Sequence, residues 1–510
     1  MSAIKRILNG SIASTCGMVA SLIGNVVLVP VYLAYWNPSD CGVWLALQSA
    51  FTLVQIIDTG HSRFLWNEFM RLTSHRRRVI RRVLWSGIVT GAIIGGAQAL
   101  GVWWICRGHL LHLVLGTDMH SIVSDLEAIL ITYALTWWVY GSIGGVLVVA
   151  VLPFGYFPTT AWWGVANTIL LALAPVIAVV NGANIVLAAL TQIFTGAALG
   201  VLQIMYLLWI VRKERIAPIR PCFRFAVRNF LRSQAITVQL AIELIRMQGS
   251  RLAIAPFVGT AAVAGFQYMR TGSGVVLNGL NALLGPVLPE LMRYLKERDQ
   301  AKVESCCALL WSLSIYVLIP SALLMQLFIR PAFQLWTQYQ IPFDPLLFST
   351  LSCSVLIYSL SVPAMAIVHG NNLLAQRLAI SILASIIFVG MLMLLLPRFG
   401  LSTAGICLML AELASLIGLT LVAAKWMSEN SMGWPTQLFC NLSVATTAGC
   451  TAVVTIGYIE SVFSWVMFPL MGVWIYCCSK FWKQLPFIAK SRLLDSFAGL
   501  RATRPCCDRS

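Results

Sequence analysis

Fourteen apolar stretches of about twenty residues, separated by short neutral or basic segments, leave this 510-residue chain only one solvent in which to fold. A helix rises ~1.5 Å per residue, so about 20 apolar residues cross a ~30 Å hydrocarbon core. Hydrophobic residues make up 59% of the chain and charged residues only 10%, a balance that a soluble domain of this length does not show. The stretches open with Ile12–Tyr35 and Gly42–Thr59, the seventh and eighth are Ala235–Phe257 and Ala261–Leu288, and the last is Val462–Ser479. The pattern predicts an all-α, polytopic membrane protein of about 14 transmembrane helices.

The basic residues fall on alternate connections. One side of the predicted membrane collects twenty-eight of the 35 Lys and Arg, among them the runs Arg63–Arg82, Arg212–Arg232 and the tail from Lys480. The other side has three, Arg107, Arg330 and Arg398, and four (Arg246, Arg251, Arg270 and Arg377) lie within stretches. Lys and Arg near span ends are retained in the cytoplasm, so both termini are expected there. The net charge of +17 therefore faces an anionic leaflet, and no nucleic-acid partner is expected. The first stretch is too long for the apolar part of a cleavable leader and is expected to persist as a span. Most of the fourteen Cys lie in spans or on the basic side and are expected to be reduced. The adjacent pairs beginning at Cys306, Cys477 and Cys506 lack zinc spacing, so neither metal nor cofactor is expected.

No connection on the neutral side is long. The largest is Cys106–Leu126, which places the function inside the membrane. On the basic side, 61–82 mixes Phe64, Leu65, Trp66, Phe69 and Leu72 with arginines and reads as an interfacial helix, with Asp58 and Thr59 placed to cap it. The connector Arg212–Gln234 splits the chain near its middle. Val29-Pro30-Val31 leading to Cys41-Gly42-Val43-Trp44 is echoed by Ala255-Pro256-Phe257 leading to Ala264-Gly265-Phe266-Gln267. This faint repeat suggests two six-span units. The division expected is an N-lobe over 1–220, a C-lobe over 221–425, two additional spans over 426–480 and a basic cytoplasmic tail over 481–510. Glycines at helix-contact spacing, such as Gly87, Gly91 and Gly95, or Gly196 and Gly200, suit close helix packing.

Charges within spans are costly, about 2.5 to 3.5 kcal/mol each on insertion scales, so each calls for a partner or a task. At ~1.5 Å per residue from the basic-side start of the seventh stretch, Glu243 lies about 12 Å deep, Arg246 about 16 Å and Arg251 about 24 Å. Arg270 lies about 13 Å below the opposite start of the eighth, level with Arg246. Glu243 and Arg246, three residues apart, share a helix face with Gln239 and Ser250, and the eighth stretch adds Gln267, Asn278 and Asn281. One reading is an ion pair that locks two helices. The other is a cavity wall whose excess of arginine takes a phosphate-bearing substrate, since guanidinium matches phosphate oxygens in bidentate fashion. Glu243 is read as the only carboxylate near the midplane and as an ion-coupling group for H+ or Na+. Neutral polar groups in the first six spans (Thr132, Thr136, Tyr140, Asn167, Gln192, Thr195 and Gln203) suit hydroxyl-rich cargo or polar packing.

Nucleotide-binding, zinc-hydrolase and nucleophile-elbow motifs are missing, so no enzyme is expected. The turn Cys41-Gly42-Val43-Trp44, the close Ile56-Ile57-Asp58-Thr59-Gly60 and the stretch Gly285-Pro286-Val287-Leu288-Pro289-Glu290-Leu291 are similar to motifs of a known group. With these the chain resembles the Wzx-type polysaccharide flippases of the multidrug, oligosaccharidyl-lipid and polysaccharide (MOP) exporter superfamily. The resemblance implies two six-helix lobes in a V shape plus two extra C-terminal helices, placed in the bacterial inner membrane. It implies alternating access that moves an undecaprenyl-diphosphate-linked oligosaccharide to the periplasmic leaflet, with a polysaccharide polymerase and a chain-length regulator as partners. Arg246 and Arg270 would be cavity bases, with Arg251, Gln239, Gln267 and Asn278 also lining the substrate path. The first span departs from some relatives in carrying no charge. A drug/cation antiporter of the same superfamily is the first alternative, kept open by Glu243. A membrane-embedded polysaccharide polymerase or ligase is the second, and lacks the sizeable external loop such an enzyme would use.

Overall fold

The computed structural model describes residues 3–70, 76–108, 120–216, 218–220, 223–284, 287–371, 373–459, 467–486 and 490. All regular structure among them is helical. Packing divides the chain into two units. Unit 1, Met1–Gln267 with Trp336–Ile341, holds α1 (Ala3–Tyr35), α2 (Pro38–Val54), α3 (Ile56–Met70), α4 (Arg77–Arg107), α5 (His120–Trp137), α6 (Gly144–Ala150), α7 (Phe157–Val180), α8 (Ile185–Lys213), α9 (Phe223–Val258) and the start of α10 (Thr260–Leu284). Unit 2, Tyr268–Leu335 with Pro342–Ser510, holds the rest of α10, α11 (Val287–Glu297), α12 (Gln300–Leu313), α13 (Ile319–Trp336, its last residue in unit 1), α14 (Pro345–Gly370), α15 (Leu374–Phe399), α16 (Thr403–Glu429), α17 (Thr436–Ile459) and α18 (Met467–Gln484). The basic connector does not coincide with this division, because α9 packs on α2, α3 and α4.

Among the described residues, ten helices are long and apolar enough to cross a membrane, and α2 with α3, bent by 47°, counts as an eleventh. The remaining predicted spans coincide with α9, α10 and α18, which are helical but more polar. Helix starts follow from local chemistry. Asn37 accepts from the Asp40 amide at 2.8 Å ahead of Pro38, and Asp344 accepts from the Leu347 amide at 3.0 Å ahead of Pro345. Asn184 does the same for Leu187 at 2.9 Å.

Pro30 lies within α1 and has no N–H to give, which frees the Val26 carbonyl. Trp336 Nε1 donates to that carbonyl at 2.7 Å, and Gln338 Nε2 and Gln340 Nε2 donate to Pro30 and Leu33 at 3.0 and 2.6 Å. These bonds bring the turn 336–341 into unit 1. The glycines of α4 act as expected for packing. A Cβ on Gly91 would come within 2.8 Å of the Ser142 carbonyl oxygen, and one on Gly95 within 2.5 Å of Ser142 Oγ. At the cytoplasmic end predicted for unit 1, Tyr156 donates to Glu214 at 3.0 Å, and burial together with that carboxylate pushes its phenol up to about 12.

The core of unit 2 surrounds α14, which packs on α16 and α17. Trp311 is fully buried there and donates to the Leu360 carbonyl at 3.2 Å. The serines of α14 are buried too, and their hydroxyls turn back onto their own helix: Ser352 to Phe348, Ser354 to Leu351 and Ser359 to Leu356, at 2.7 to 2.9 Å.

Candidate functional site

The bend between α2 and α3 falls at Gln55, with no proline to cause it. The ladder breaks where side chains supply alternatives. Gln98 Nε2 of α4 donates to the Val54 carbonyl at 2.7 Å, and Gln55 Nε2 donates to the Tyr133 hydroxyl of α5. Tyr133 is buried and stacks on Phe51, ring centroids 4.0 Å apart.

Polar residues run along the bent pair on both sides of this point. Gln48 Nε2 donates to Gln192 Oε1 of α8 at 2.7 Å. Ser49 is fully buried; its hydroxyl donates to the Leu45 carbonyl at 2.9 Å, reaches Gln248 Oε1 of α9 at 3.3 Å and accepts from Arg251 Nη1 at 3.4 Å. Arg251 Nε donates to Gln267 Oε1 of α10 at 2.8 Å. Four helices, α2, α8, α9 and α10, thus contribute amides, a hydroxyl and a guanidinium to one polar stripe. Gly42, in the first turn and a half of α2, faces the Thr260 backbone so closely that no side chain fits. The two turns of the faint repeat touch at this point.

One turn beyond the bend lies Asp58, 4% exposed. It was expected to cap an interfacial helix, but its carboxylate accepts across helices instead: Oδ2 takes Trp137 Nε1 at 2.9 Å and Ser142 Oγ at 2.8 Å. Oδ1 is buried without a hydrogen-bond partner. Trp137 and Ser142 are five residues apart, which in an α-helix would set them about 140° apart. The segment Trp138–Ile143 between α5 and α6 is a π-helical turn, whose i to i+5 bonding returns the fifth residue to the same face. The widened turn lets both donors reach one oxygen. His61, 1% exposed, follows on the same face of α3, and neither ring nitrogen makes a hydrogen bond of good geometry.

Of the residues singled out in the sequence, the structure brings together Arg251 and Gln267, and Gln192 bonds Gln48, the chain neighbour of Ser49 on α2. Gln239 is buried and Glu243 half-buried on α9; Arg270 is half-buried on the part of α10 that belongs to unit 2. The side chains of Arg246, Asn278 and Asn281 lie outside the described residues. Thr132 and Thr136 bond back to the carbonyls of Ala128 and Thr132 at 2.8 and 2.9 Å. Asp58 and Glu412, the latter 9% exposed in α16, are further carboxylates within spans. The missed stripe had a signal, since Gln48, Ser49, Thr52, Gln55, Asp58 and Thr59 recur at helical spacing along one predicted span.

No family model matches the chain, and no curated protein matches it in sequence. Solved structures do match its fold. A multidrug resistance MATE-family transporter of the MOP superfamily, in an inward-facing conformation, aligns with a TM-score of 0.59 at 13% identity, over 82% of this chain and 98% of its own. A mutant of the Vibrio cholerae MATE transporter VcmN aligns at 0.51 and 16% identity, over 83% and 98%. A MOP-superfamily transporter from Pyrococcus furiosus, whose binding pocket is described as reversed in polarity, aligns at 0.50 and 15% identity over 83% and 96%. This all-helical, multi-pass membrane chain therefore has the fold of the MOP-superfamily transporters.

Proposed function

We propose that the chain is an alternating-access transporter that flips an undecaprenyl-diphosphate-linked oligosaccharide across the bacterial inner membrane for surface polysaccharide synthesis. The observation that carries this reading is the path formed by Gln48, Gln192, Ser49, Gln248, Arg251 and Gln267. Its amides and hydroxyl suit sugar hydroxyls, and its charged member is a guanidinium suited to phosphate. Arg246 and Arg270 serve the diphosphate, and Gln239 and Asn278 serve the rest of the cargo. Glu243 couples transport to H+ or Na+. Both termini face the cytoplasm, and a polymerase with its chain-length regulator receives the product.

The drug/cation antiporter remains as a second reading because Asp58 has a buried oxygen without a partner, which suits a cation or a proton. Proteoliposomes separate the two. With fluorescent undecaprenyl-diphosphate oligosaccharide, flipping is expected in the wild type and is expected to fall at least about tenfold in Arg251→Ala and in Arg270→Ala. Lys at either position rescues poorly, because it lacks the planar fork. Absence of flipping, with uptake of an organic cation against a proton gradient, replaces this reading with the antiporter.

A further inference from the structure

Along the seam between α3 and α4, three side chains hold buried atoms that make no hydrogen bond: Oδ1 of Asp58, both ring nitrogens of His61 and Oε1 of Gln98. Asp58 and His61 are each more than nine-tenths buried. The seam is fixed at several points. A Cβ on Gly87 of α4 would come within 2.9 Å of Leu65 Cδ1, and one on Gly95 within 2.5 Å of Ser142 Oγ, the group that donates to Asp58 Oδ2 at 2.8 Å. Asp58, His61 and Leu65 recur at helical spacing, so His61 lies on this face between two fixed contacts. Gln98, one turn beyond Gly95, donates from Nε2 to the Val54 carbonyl at 2.7 Å, one turn before Asp58. Turning that amide over would set oxygen against oxygen, so Oε1 is the end left bare.

Donors and acceptors on the seam do not balance. With Asp58 ionised and His61 neutral, the bare atoms are three acceptors (Asp58 Oδ1, one ring nitrogen and Gln98 Oε1) and one donor, the other ring nitrogen. One added proton, on Asp58 Oδ1 or on the imidazole, makes two of each. It also removes the net charge from a seam inside a membrane-spanning pair. A sodium ion would restore neutrality but bring no acceptor for the ring N–H, and it prefers oxygen ligands to a ring nitrogen.

Other titratable or charged groups stand around the seam. The phenols of Tyr133 and Tyr140 have their rings 6.1 and 5.2 Å from that of Trp137. On α9, Arg232 and Glu243 lie five residues before and six past Thr237, which meets Gly60. α3 itself adds Arg63 and Glu68, α4 has its arginines at its two ends, α2 has Asp40 in its first turn and α6 has none.

We infer that Asp58, His61 and Gln98 form a one-proton site beside the bend at Gln55. The proton is shared by Asp58 and His61, which titrate as a pair, and Gln98 Oε1 accepts from whichever holds it. It is taken from water and returned to water, and no other bond changes. The site stands whichever cargo the chain moves, and it is a proton-binding group other than Glu243.

The test is infrared difference spectroscopy of the full chain in phosphatidylcholine nanodiscs, titrated with pH, with isotope-labelled Asp and His. A protonated aspartic carboxyl or an imidazolium band is expected that titrates with one midpoint and is missing from Asp58→Asn. His61→Gln removes the base that shares the proton and keeps a donor for Oδ1, so it should weaken proton binding at least about tenfold, one pH unit. Gln98→Glu places a second carboxyl on the seam and should strengthen proton binding at Asp58 by at least about the same factor. Replacing choline chloride by sodium chloride at constant pH should leave the titration unmoved. The site is overturned if no band depends on Asp58, if His61→Gln and Gln98→Glu titrate as the wild type does, or if sodium displaces the proton. Should Asp58→Asn fail to fold, the shifts in the other two variants decide alone.

Discussion

Two elements at the centres of their units, the bent pair α2–α3 and α14, are both rich in buried polar side chains and use them differently. On α14 the hydroxyls of Ser352, Ser354 and Ser359 return to carbonyls of the same helix, so their polarity is absorbed within one element, with Ser349 alone of its serines also accepting from Gln326 of α13. On α2–α3 the polar groups bond outward, to Gln98, Tyr133, Trp137, Ser142, Gln192, Gln248 and Arg251, and one carboxylate oxygen is left over. Polarity absorbed by its own helix is compatible with a fixed core. Polarity shared between helices ties their relative positions to hydrogen bonds that a polar cargo or water could exchange.

Substitutions can break this contrast. The largest effect is expected from Gly42→Val, because any side chain there meets the Thr260 backbone, which cannot swing aside as a side chain can. A loss of at least about 3 kcal/mol should appear as a collapse of the monodisperse peak on fluorescence-detected size exclusion. Gly164→Val, which opens onto empty space, should elute normally. A loss in both would mean that α7 and α2 are equally intolerant and that the contact is not special.

Asp58 gives the next effect. Asp58→Leu strips the acceptor from Trp137 and Ser142 and should cost about 1 to 3 kcal/mol for each donor left unsatisfied, whereas Asp58→Asn keeps an acceptor oxygen and should cost far less. Thermal unfolding in detergent checks this, and equal losses would show that the two bonds to Oδ2 contribute little. The smallest effect belongs to α14: Ser352→Ala, Ser354→Ala and Ser359→Ala should each change stability by less than about 1 kcal/mol, because their hydroxyls only share carbonyls of their own helix. Ser142→Ala on the other side of the comparison should exceed all three in the same assay.

Much of this architecture could be read from residue order. The stretch Pro345–Gly370 carries no Asp, Glu, Lys or Arg, as suits a helix buried on all faces, and α14 lies in the core of unit 2. The glycine rows of α4 and α8 announced close contacts, and the structure places Ser142 and Tyr140 against them. What could not be read was the bend at Gln55. No proline or glycine marks it, and its cause is a set of side chains on α4 and α5 that become neighbours only after folding. Asp58 was misjudged for a related reason: a carboxylate before a basic amphipathic segment has a local explanation as a cap, while its partners Trp137 and Ser142 lie about eighty positions away. Charge within spans concentrates on α9 and α10, whereas the stripe of α2 is neutral, and Glu412 is a lone buried acid in a largely apolar stretch of α16.

The π-helical turn at Trp138–Ile143 has an evolutionary meaning. Such a turn is what a helix becomes when one residue is inserted and the flanking turns keep their places. Removing a single residue between Trp137 and Ser142 would return the segment to an ordinary α-helix and leave the two donors four residues apart, about 40° around the axis and still on one face. Straightening the turn without removing a residue would instead set them about 140° apart and take one donor off Asp58. In related chains that keep the acid, spacing and helix type should therefore change together: five residues with a π-helical turn, or four with an α-helical one.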